Sequence, residues 1–455
     1  MRKQTIAQRL LFDQAIDALR SVFKPEKKLT ALDKIITDNP GIVQAIHADI
    51  TRHVRKTGRE GISAERILRS AVIKQWKNYS YRELAEQLHG SVLLRWFSRF
   101  YSEPIPHYTA LQKAIKAIGA PTWQQINDLL ITYAAGKQIE PGTKLRIDTT
   151  VVETNISYPV DARLLWDSIR VLTRLMEAAL PILPGVQFNF AKRTKRAKKL
   201  CYAIVMAKGP QAQRRRQKLY RQLLKVTREV VAMASSCRDH LLLHTTPPAV
   251  GSLHEALTRY LALAHKAIEQ CERRVLHGEA VPAAEKIVSL FEEHTDIIKR
   301  GKSHCPTEFG HKVLFATGAT GLITQYAVFR GNPADNTMLP DILRIHCQHY
   351  GAAPDSLSAD RRFFSEDNET FATTRGIKNL CIAKPGYRSA ARQEFERQPW
   401  FRKLKRFRAG IEGVISTLLR RFGLTRCLWK GWESFRSYVG LSVVTFNLQK
   451  IAALI

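Results

Sequence analysis

Several things are scarce or absent in this 455-residue chain, and each absence narrows what it can be. Its cysteines, Cys201, Cys237, Cys271, Cys305, Cys347, Cys381 and Cys427, are odd in number and stand singly, with no C-x-x-C spacing. That argues against a disulfide framework and for reduced thiols in a cytosolic protein. No run of about 18 uncharged apolar residues occurs, so no membrane span is expected. Met1-Arg2-Lys3-Gln4 does not lead into an apolar stretch with a small-residue cleavage site, so no secretion signal is expected either. There is no G-x-x-x-x-G-K-[ST] loop, and hence no expected need for ATP. His346-Cys347-Gln348-His349 offers zinc-type ligands on one short segment, but no second half-site accompanies it.

Acid is also in short supply: 40 Asp and Glu face 72 Lys and Arg, a net charge of +32. Self-repulsion on that scale adds nothing to folding stability, so a polyanionic partner is its natural explanation, and nucleic acid is the commonest one. Charge alone does not separate a DNA enzyme from an RNA-binding protein. With 45% hydrophobic and 25% charged residues the chain is otherwise of ordinary globular composition, and long enough for two or three domains.

Residues 1–140 read as a run of short helices, as expected of a helical DNA-binding domain or of any helical bundle. Ser80-Tyr81-Arg82-Glu83 has capping-box spacing, and Thr109-Ala110-Leu111-Gln112 repeats it, with Gly119 and Pro121 closing that helix. Thr122 opens the next, with apolar positions at Ile126, Leu129 and Leu130. Near residue 143 the period changes. Lys144–Val152 alternates and is rich in β-branched residues, which predicts a strand. Two more strands, Val313–Ala316 and Gly321–Phe329, flank the turn-forming Gly318-Ala319-Thr320-Gly321. Leu357–Ala359 and Leu380–Ala383 have the short apolar form of buried strands. Between these, residues 161–300 return to a helical pattern, with Leu165, Ile169, Leu172 and Met176 on one face and Leu261, Ala264, Ala267 and Ile268 on another. This insert holds the densest charge: Lys192, Arg193, Lys195, Arg196, Lys198 and Lys199 fall within eight residues.

Phosphodiester chemistry commonly uses two divalent ions about 3.5–4 Å apart. Such hard cations take carboxylate oxygens. Three acids stand where a sheet and a facing helix could bring them together. Asp148 lies inside the first strand, where a charge is costly unless paired or metal-bound; an edge-strand acid facing solvent is the plainer alternative. Asp360 ends the run Leu357-Ser358-Ala359, at the carboxyl end of a strand where open α/β sheets place ligands, and would equally serve as the N-cap of a following helix. Glu412 lies in a helix with an apolar stripe of Ile411, Ile415, Leu418 and Phe422, closed by Gly423. On its other face Lys405, Arg408, Glu412, Ser416 and Arg420 recur every three or four residues. An ordinary i,i+4 ion pair between Arg408 and Glu412 would also account for that pattern. Among other acids, Asp335 after Gly331-Asn332-Pro333 reads as a helix cap, Asp341 lies within that helix, Asp355 follows Pro354 in a polar loop, and Asp367 opens a solvated helix.

The order strand, insert, hairpin, strand, strand, helix resembles that of DDE transposases of bacterial insertion sequences, close to the InsH-like and ISNCY-like groups. The resemblance rests on Arg146-Ile147-Asp148-Thr149-Thr150-Val151-Val152-Glu153, Phe309–Val313 through Phe329–Asn332, Ser358-Ala359-Asp360-Arg361 with Phe363-Phe364-Ser365, and Arg408-(three residues)-Glu412. Tyr81–Ala85 through Arg95-Trp96-Phe97 is similar to the family's helical N-terminal region. It covers most of the chain, with residues 161–300 the least constrained. One departure is visible: the family's Tyr three residues before the Arg and Lys seven after the Glu are here Lys405 and Leu419, with Arg420 or Arg421 as substitutes for the lysine.

The resemblance implies an α+β protein: a helical N-terminal DNA-binding domain (1–140) and a ribonuclease-H-like mixed-sheet catalytic domain (141–160 and 301–455) interrupted by a basic helical insert (161–300). It implies that Asp148, Asp360 and Glu412 hold two Mg²⁺ ions, with Mn²⁺ able to substitute. Water would cut the element end, and the freed 3′-hydroxyl would attack target DNA. Lys405, Arg408 and Arg420, with the six cations of the insert, would contact DNA. Double-stranded DNA, a homodimer pairing two ends, and a cytoplasmic, nucleoid-associated setting are also implied. Rival expectations are a catalytically inactive DNA-binding relic and a nuclease without strand transfer.

Overall fold

The computed structural model describes residues 3–4, 27–52, 60–183, 190–243, 248–299 and 307–455. Most of the first 26 residues, and residues 300–306 where the sequence places the return to the catalytic domain, lie outside the described residues. The chain divides into two compact units, one made of Met1–Asn155 with Arg300–Ile455, the other of Ile156–Lys299.

The first unit begins with helices α1 (Lys27–Asp38), α2 (Pro40–Thr51), α3 (Ala64–Lys77), α4 (Tyr81–Gly90), α5 (Val92–Phe97), α6 (Tyr108–Lys116) and α7 (Ala120–Gly136). Ser80 caps α4 with both halves of a capping box, its hydroxyl taking the Glu83 N–H and the Glu83 carboxylate taking the Ser80 N–H. Two expected boundaries move. His107, not Thr109, caps α6, its ring nitrogen accepting from the Thr109 N–H. Gly119 and Pro121 open α7 instead of closing α6; proline is well placed in a first turn, where its missing N–H would have had no partner. Strand β1 follows at Lys144–Thr154, buried along both faces as a central strand must be.

The second unit is helical, with α8 (Asp161–Ala179), α9 (Thr194–Met206), α10 (Ala212–Leu243) and α11 (Pro248–Cys271), and ends on the extended segment Asp296–Lys299. Leu165, Ile169, Leu172 and Met176 of α8 and Leu261, Ala264, Ala267 and Ile268 of α11 fall in one core. Asp161, buried at the start of α8, accepts from Gln270 Nε2 (2.8 Å) and Arg274 Nη1 (2.8 Å), which ties the beginning of the unit to the end of α11.

Back in the first unit come β2 (Thr307–Thr317), β3 (Ile323–Val328), α12 (Leu339–Tyr350), β4 (Ser356–Ala359), α13 (Glu366–Thr374), β5 (Asn379–Ile382), α14 (Ala390–Arg397), α15 (Pro399–Arg421), β6 (Arg426–Cys427) and α16 (Trp432–Ala452). Their sheet runs β3-β2-β1-β4-β5. The first three strands are antiparallel, β4 and β5 continue parallel to β1, and β6 pairs with the end of β1. This is the ribonuclease-H-like arrangement, here with a mixed sheet and a helical N-terminal region. Because side chains alternate across a strand, Val313 and Phe315 of β2 enter the core that holds the N-terminal helices, α15 and α16, while Leu314 and Ala316 face α12 and α13. The N-terminal helices and the sheet thus share one apolar core.

Helix α16 runs through that core, and two features seat it. A Cβ at Gly440 would lie 2.5 Å from Trp123 Cβ and 2.7 Å from the Tyr326 hydroxyl, so only glycine permits so close an approach to α7 and β3. Asn447, fully buried, accepts from the Ile323 N–H (2.9 Å) and donates to Ile323 O (2.8 Å) and Asn127 Oδ1 (2.8 Å). Asn447→Ala strips the partners from these buried groups and should cost about 1–3 kcal/mol for the group left worst unpaired. Urea unfolding checks this: an unchanged midpoint would mean that water or repacking satisfies them.

Candidate active site beside the central strands

Register brings the first two acids together. Ile147 pairs with Ala359 on adjacent parallel strands, so the next residue on each chain, Asp148 and Asp360, stands at the same level of the sheet. Glu412 arrives on α15, whose Ile411, Ile415 and Leu418 are buried against the core. The three acids line one cleft of about 500 Å³, together with Thr149, Thr150, Arg362, Ser416 and Arg420.

Each carboxylate already has a hydrogen bond. Asp148 Oδ1 accepts from the Thr149 N–H (2.7 Å). Asp360 Oδ1 accepts from the Arg361 N–H (2.7 Å) as it caps the short turn Arg361–Phe363, so the capping role read from the sequence is present at the cleft as well. Arg408 reaches across the site. Its Nη1 donates to Asp148 Oδ2 (3.3 Å) and its Nη2 to Glu412 Oε1 (3.0 Å), so the expected i,i+4 pair exists and extends to a second carboxylate. The Asp148 side chain is 19% exposed and that of Glu412 63%.

Among the described residues, no three His, Cys, Asp or Glu side chains are gathered closely enough to hold an ion. The donors nevertheless suit one in kind. They are hard carboxylate oxygens, and two of them have drawn a cation, the Arg408 guanidinium, into the space between them. A divalent ion bound by Asp148 and Glu412 would stand in for that guanidinium.

Other acids are committed elsewhere. Asp335 does not cap a helix; it is buried, accepts from Lys312 Nζ (2.8 Å) and takes the Thr149 hydroxyl (3.4 Å). Asp341 pairs with Arg344 and Asp355 with Lys378. Asp367 sits in the first turn of α13. Of the cations expected at the site, Arg408 and Arg420 reach the acids or the cleft, while Lys405 is exposed on α15 one turn earlier and does not line it.

Arg146, on the same face of β1 as Asp148, was not singled out by the sequence. Its Nε donates to Thr317 Oγ1 (2.8 Å), its Nη1 to Phe407 O (2.8 Å), and its guanidinium lies over the Phe407 ring at 4.6 Å. Burial holds its pKa below the usual arginine value, with the Glu140 carboxylate opposing. The only sequence signal was a charge in a strand otherwise fit for burial.

The second unit carries its own basic cleft, about 540 Å³, lined by Trp166, Arg170, Arg174, Lys192, Lys195, Lys198 and Phe291 among others. Lys192 pairs with Glu177 (2.6 Å) and Arg193 with Glu229 (3.4 Å), while Lys195, Arg196, Lys198 and Lys199 are exposed along α9.

A ribonuclease-H-like sheet with one acid inside its central strand, Asp148, and a second just past the end of the adjacent parallel strand, Asp360, defines a class of enzymes that act on phosphodiester bonds. The comparison with known families is more specific. Residues 286–448 match the transposase DDE domain, and residues 17–117 match a transposase domain, DUF772. Together the two matches support a transposase of the DDE type, a family that is generally dependent on divalent metal and acts on DNA. The first spans Asp360 and Glu412 but begins after β1, so Asp148 lies outside it. No curated protein and no solved structure matches the chain. No helix among the described residues is long and apolar enough to cross a membrane.

Proposed function

We propose that the chain is a DNA transposase of an insertion sequence, of the InsH-like or ISNCY-like kind, that cleaves the element's ends and joins the freed 3′-hydroxyls to target DNA. The observation that carries this reading is that Asp148, Asp360 and Glu412, from three segments far apart in the chain, line one cleft against the central strands of a ribonuclease-H-like sheet. They are the groups that would hold two divalent ions, Mg²⁺ or Mn²⁺. Such ions, when bound, polarise the phosphoryl oxygens and lower the pKa of the attacking water or hydroxyl.

The chain's own residues do the rest. Asp148 and Asp360 are held in place by the Thr149 and Arg361 N–H groups. Arg408, once released from the two carboxylates, and Arg420 are positioned to take phosphate oxygens, which guanidinium groups bind in bidentate fashion. In this reading residues 1–140 recognise the element's ends, 141–160 with 301–455 do the chemistry, and the insert 161–300 holds flanking DNA. A homodimer would pair the two ends on double-stranded DNA in the nucleoid.

The test is an assay with purified chain, Mg²⁺ or Mn²⁺, and a duplex bearing the element's terminal repeats beside a supercoiled target. Cleavage followed by joining supports the proposal. Cleavage without joining would mark a nuclease, and a mobility shift alone an inactive DNA-binding relative.

The insert makes its own prediction. Changing Lys192, Arg193, Lys195, Arg196, Lys198 and Lys199 to Gln should weaken DNA binding at low salt. It should also flatten the plot of log K against log salt by about 0.9 for each phosphate that is no longer neutralised. Lys192 and Arg193 already have carboxylate partners, so Lys195, Arg196, Lys198 and Lys199 should account for most of the change. An unaltered slope would make this face merely solvated charge.

A further inference from the structure

We infer that Arg146 and Gly410 form a clamp that sets the metal-binding geometry of Asp148 and Glu412, a role that rests on the proposed reading of those two acids as metal ligands.

Asp148 and Glu412 belong to a strand and a helix more than 260 residues apart, and a cation can be shared between them only if α15 keeps one position along β1. Apolar packing of Ile411, Ile415 and Leu418 presses the helix on the core, and polar bonds to the sheet add a distance- and angle-dependent tie along it. Arg146 supplies the direction, together with the Ser358 hydroxyl of β4, which donates to Leu404 O about one turn earlier on α15 (3.1 Å). It sits two residues before Asp148 and therefore on the same face of β1. Its guanidinium spans from the Thr317 hydroxyl at the end of β2 to the Phe407 carbonyl on α15, and it stacks on the Phe407 ring. Phe407 O lies inside the helix, so this bond locks α15 at the turn that leads into Arg408 and Glu412.

Gly410 is what lets the clamp close. A Cβ there would overlap Arg146 Nη1, whereas Gly413, three residues on in the same helix, has nothing within 4 Å of its own Cβ position. Two glycines flanking Glu412 therefore differ completely: alanine at 413 meets open space, and alanine at 410 must push the guanidinium or the helix away. Arg146 and Gly410 touch neither substrate nor metal; they are positioning residues.

The experiment is a Mn²⁺ titration of the full chain without DNA, followed by electron paramagnetic resonance of the free ion, with thermal melts as the check on folding. Glu412→Gln and Asp148→Asn should each weaken Mn²⁺ binding. Gly410→Ala and Arg146→Lys should each weaken it about 10–100-fold, the range found for groups that orient metal ligands without touching the ion. Their double variant should be no weaker than the weaker single, because both break the same contact. Gly413→Ala should bind as the unaltered chain does. If Gly410→Ala and Arg146→Lys both keep full affinity while Glu412→Gln loses it, the clamp is wrong and the ligand reading stands. If Gly413→Ala loses as much as Gly410→Ala, the effect is one of helix backbone and the clamp is again wrong. If Glu412→Gln and Asp148→Asn themselves leave affinity unchanged, the ligand reading fails and the clamp falls with it. Should Gly410→Ala fail to fold, Arg146→Lys decides alone.

Discussion

Asp148→Ala, Asp360→Ala and Glu412→Gln are each expected to abolish strand cleavage while leaving DNA affinity within a few-fold of the unaltered chain. Loss of a group that merely orients a metal ligand costs about 10–100-fold, so loss of a ligand itself should cost on the order of 10³-fold or more. Affinity should survive because phosphate contacts come from cations spread over the protein, the basic face of α9 among them. Stability should change little: all three acids line an open cleft, and exposed ion pairs such as Arg408 with Glu412 contribute at most about 1 kcal/mol. Removing Asp148 frees Arg408 from one partner, so Asp148→Ala should bind DNA slightly more tightly. Single-turnover cleavage with labelled duplex, beside an equilibrium binding curve in Ca²⁺, checks both halves. Any of the three variants that cleaves at the original rate removes that residue from the site.

Asp335→Ala should behave in the opposite way, lowering stability because Asp335 holds a buried cation. Asp335 is buried and ion-paired with an equally buried Lys312, whose Nζ also donates to Pro333 O (2.6 Å). Deleting the carboxylate leaves an ammonium with little compensation in a site closed to water, and breaking such a pair from one side costs about 3–5 kcal/mol. Lys312→Met with Asp335→Leu, which removes both charges, should recover most of that loss for the same reason. Urea denaturation of the two variants measures the difference. The contrast with Asp360→Ala separates two acids that follow the hairpin in the same stretch of chain: one acts on stability and the other on chemistry. Equal stability of Asp335→Ala and the unaltered protein would show that Lys312 finds water or another acceptor.

Local sequence carried a good part of this fold because the signals involved are local. Alternation with β-branched residues marked β1, the stripe of Ile411, Ile415 and Leu418 marked α15, and Ser80 with Glu83 marked the start of α4. Each pattern is spent within a few residues, where backbone geometry alone decides which side chains share a face. Boundaries were less legible at residues 107–122, since Gly119 and Pro121 fit the end of one helix as well as the start of the next, and the structure puts them at the start. Asp335 misled for a related reason. It follows a turn, as capping residues do, but its partner is Lys312, 23 residues earlier on strand β2.

By itself the sequence determined the strand and helix types, the positive charge that calls for a polyanion, and the three acids whose order along the chain resembles a DDE set. Tertiary structure alone decided that Asp148 and Asp360 stand at one level of the sheet, that Arg408 lies between Asp148 and Glu412, and that Arg146 needs the missing side chain of Gly410. Those facts depend on register between segments up to about 260 residues apart. Register follows from how whole faces pack, where a shift of one residue along a strand would turn every side chain to the opposite face, and no single stretch of the chain contains that information.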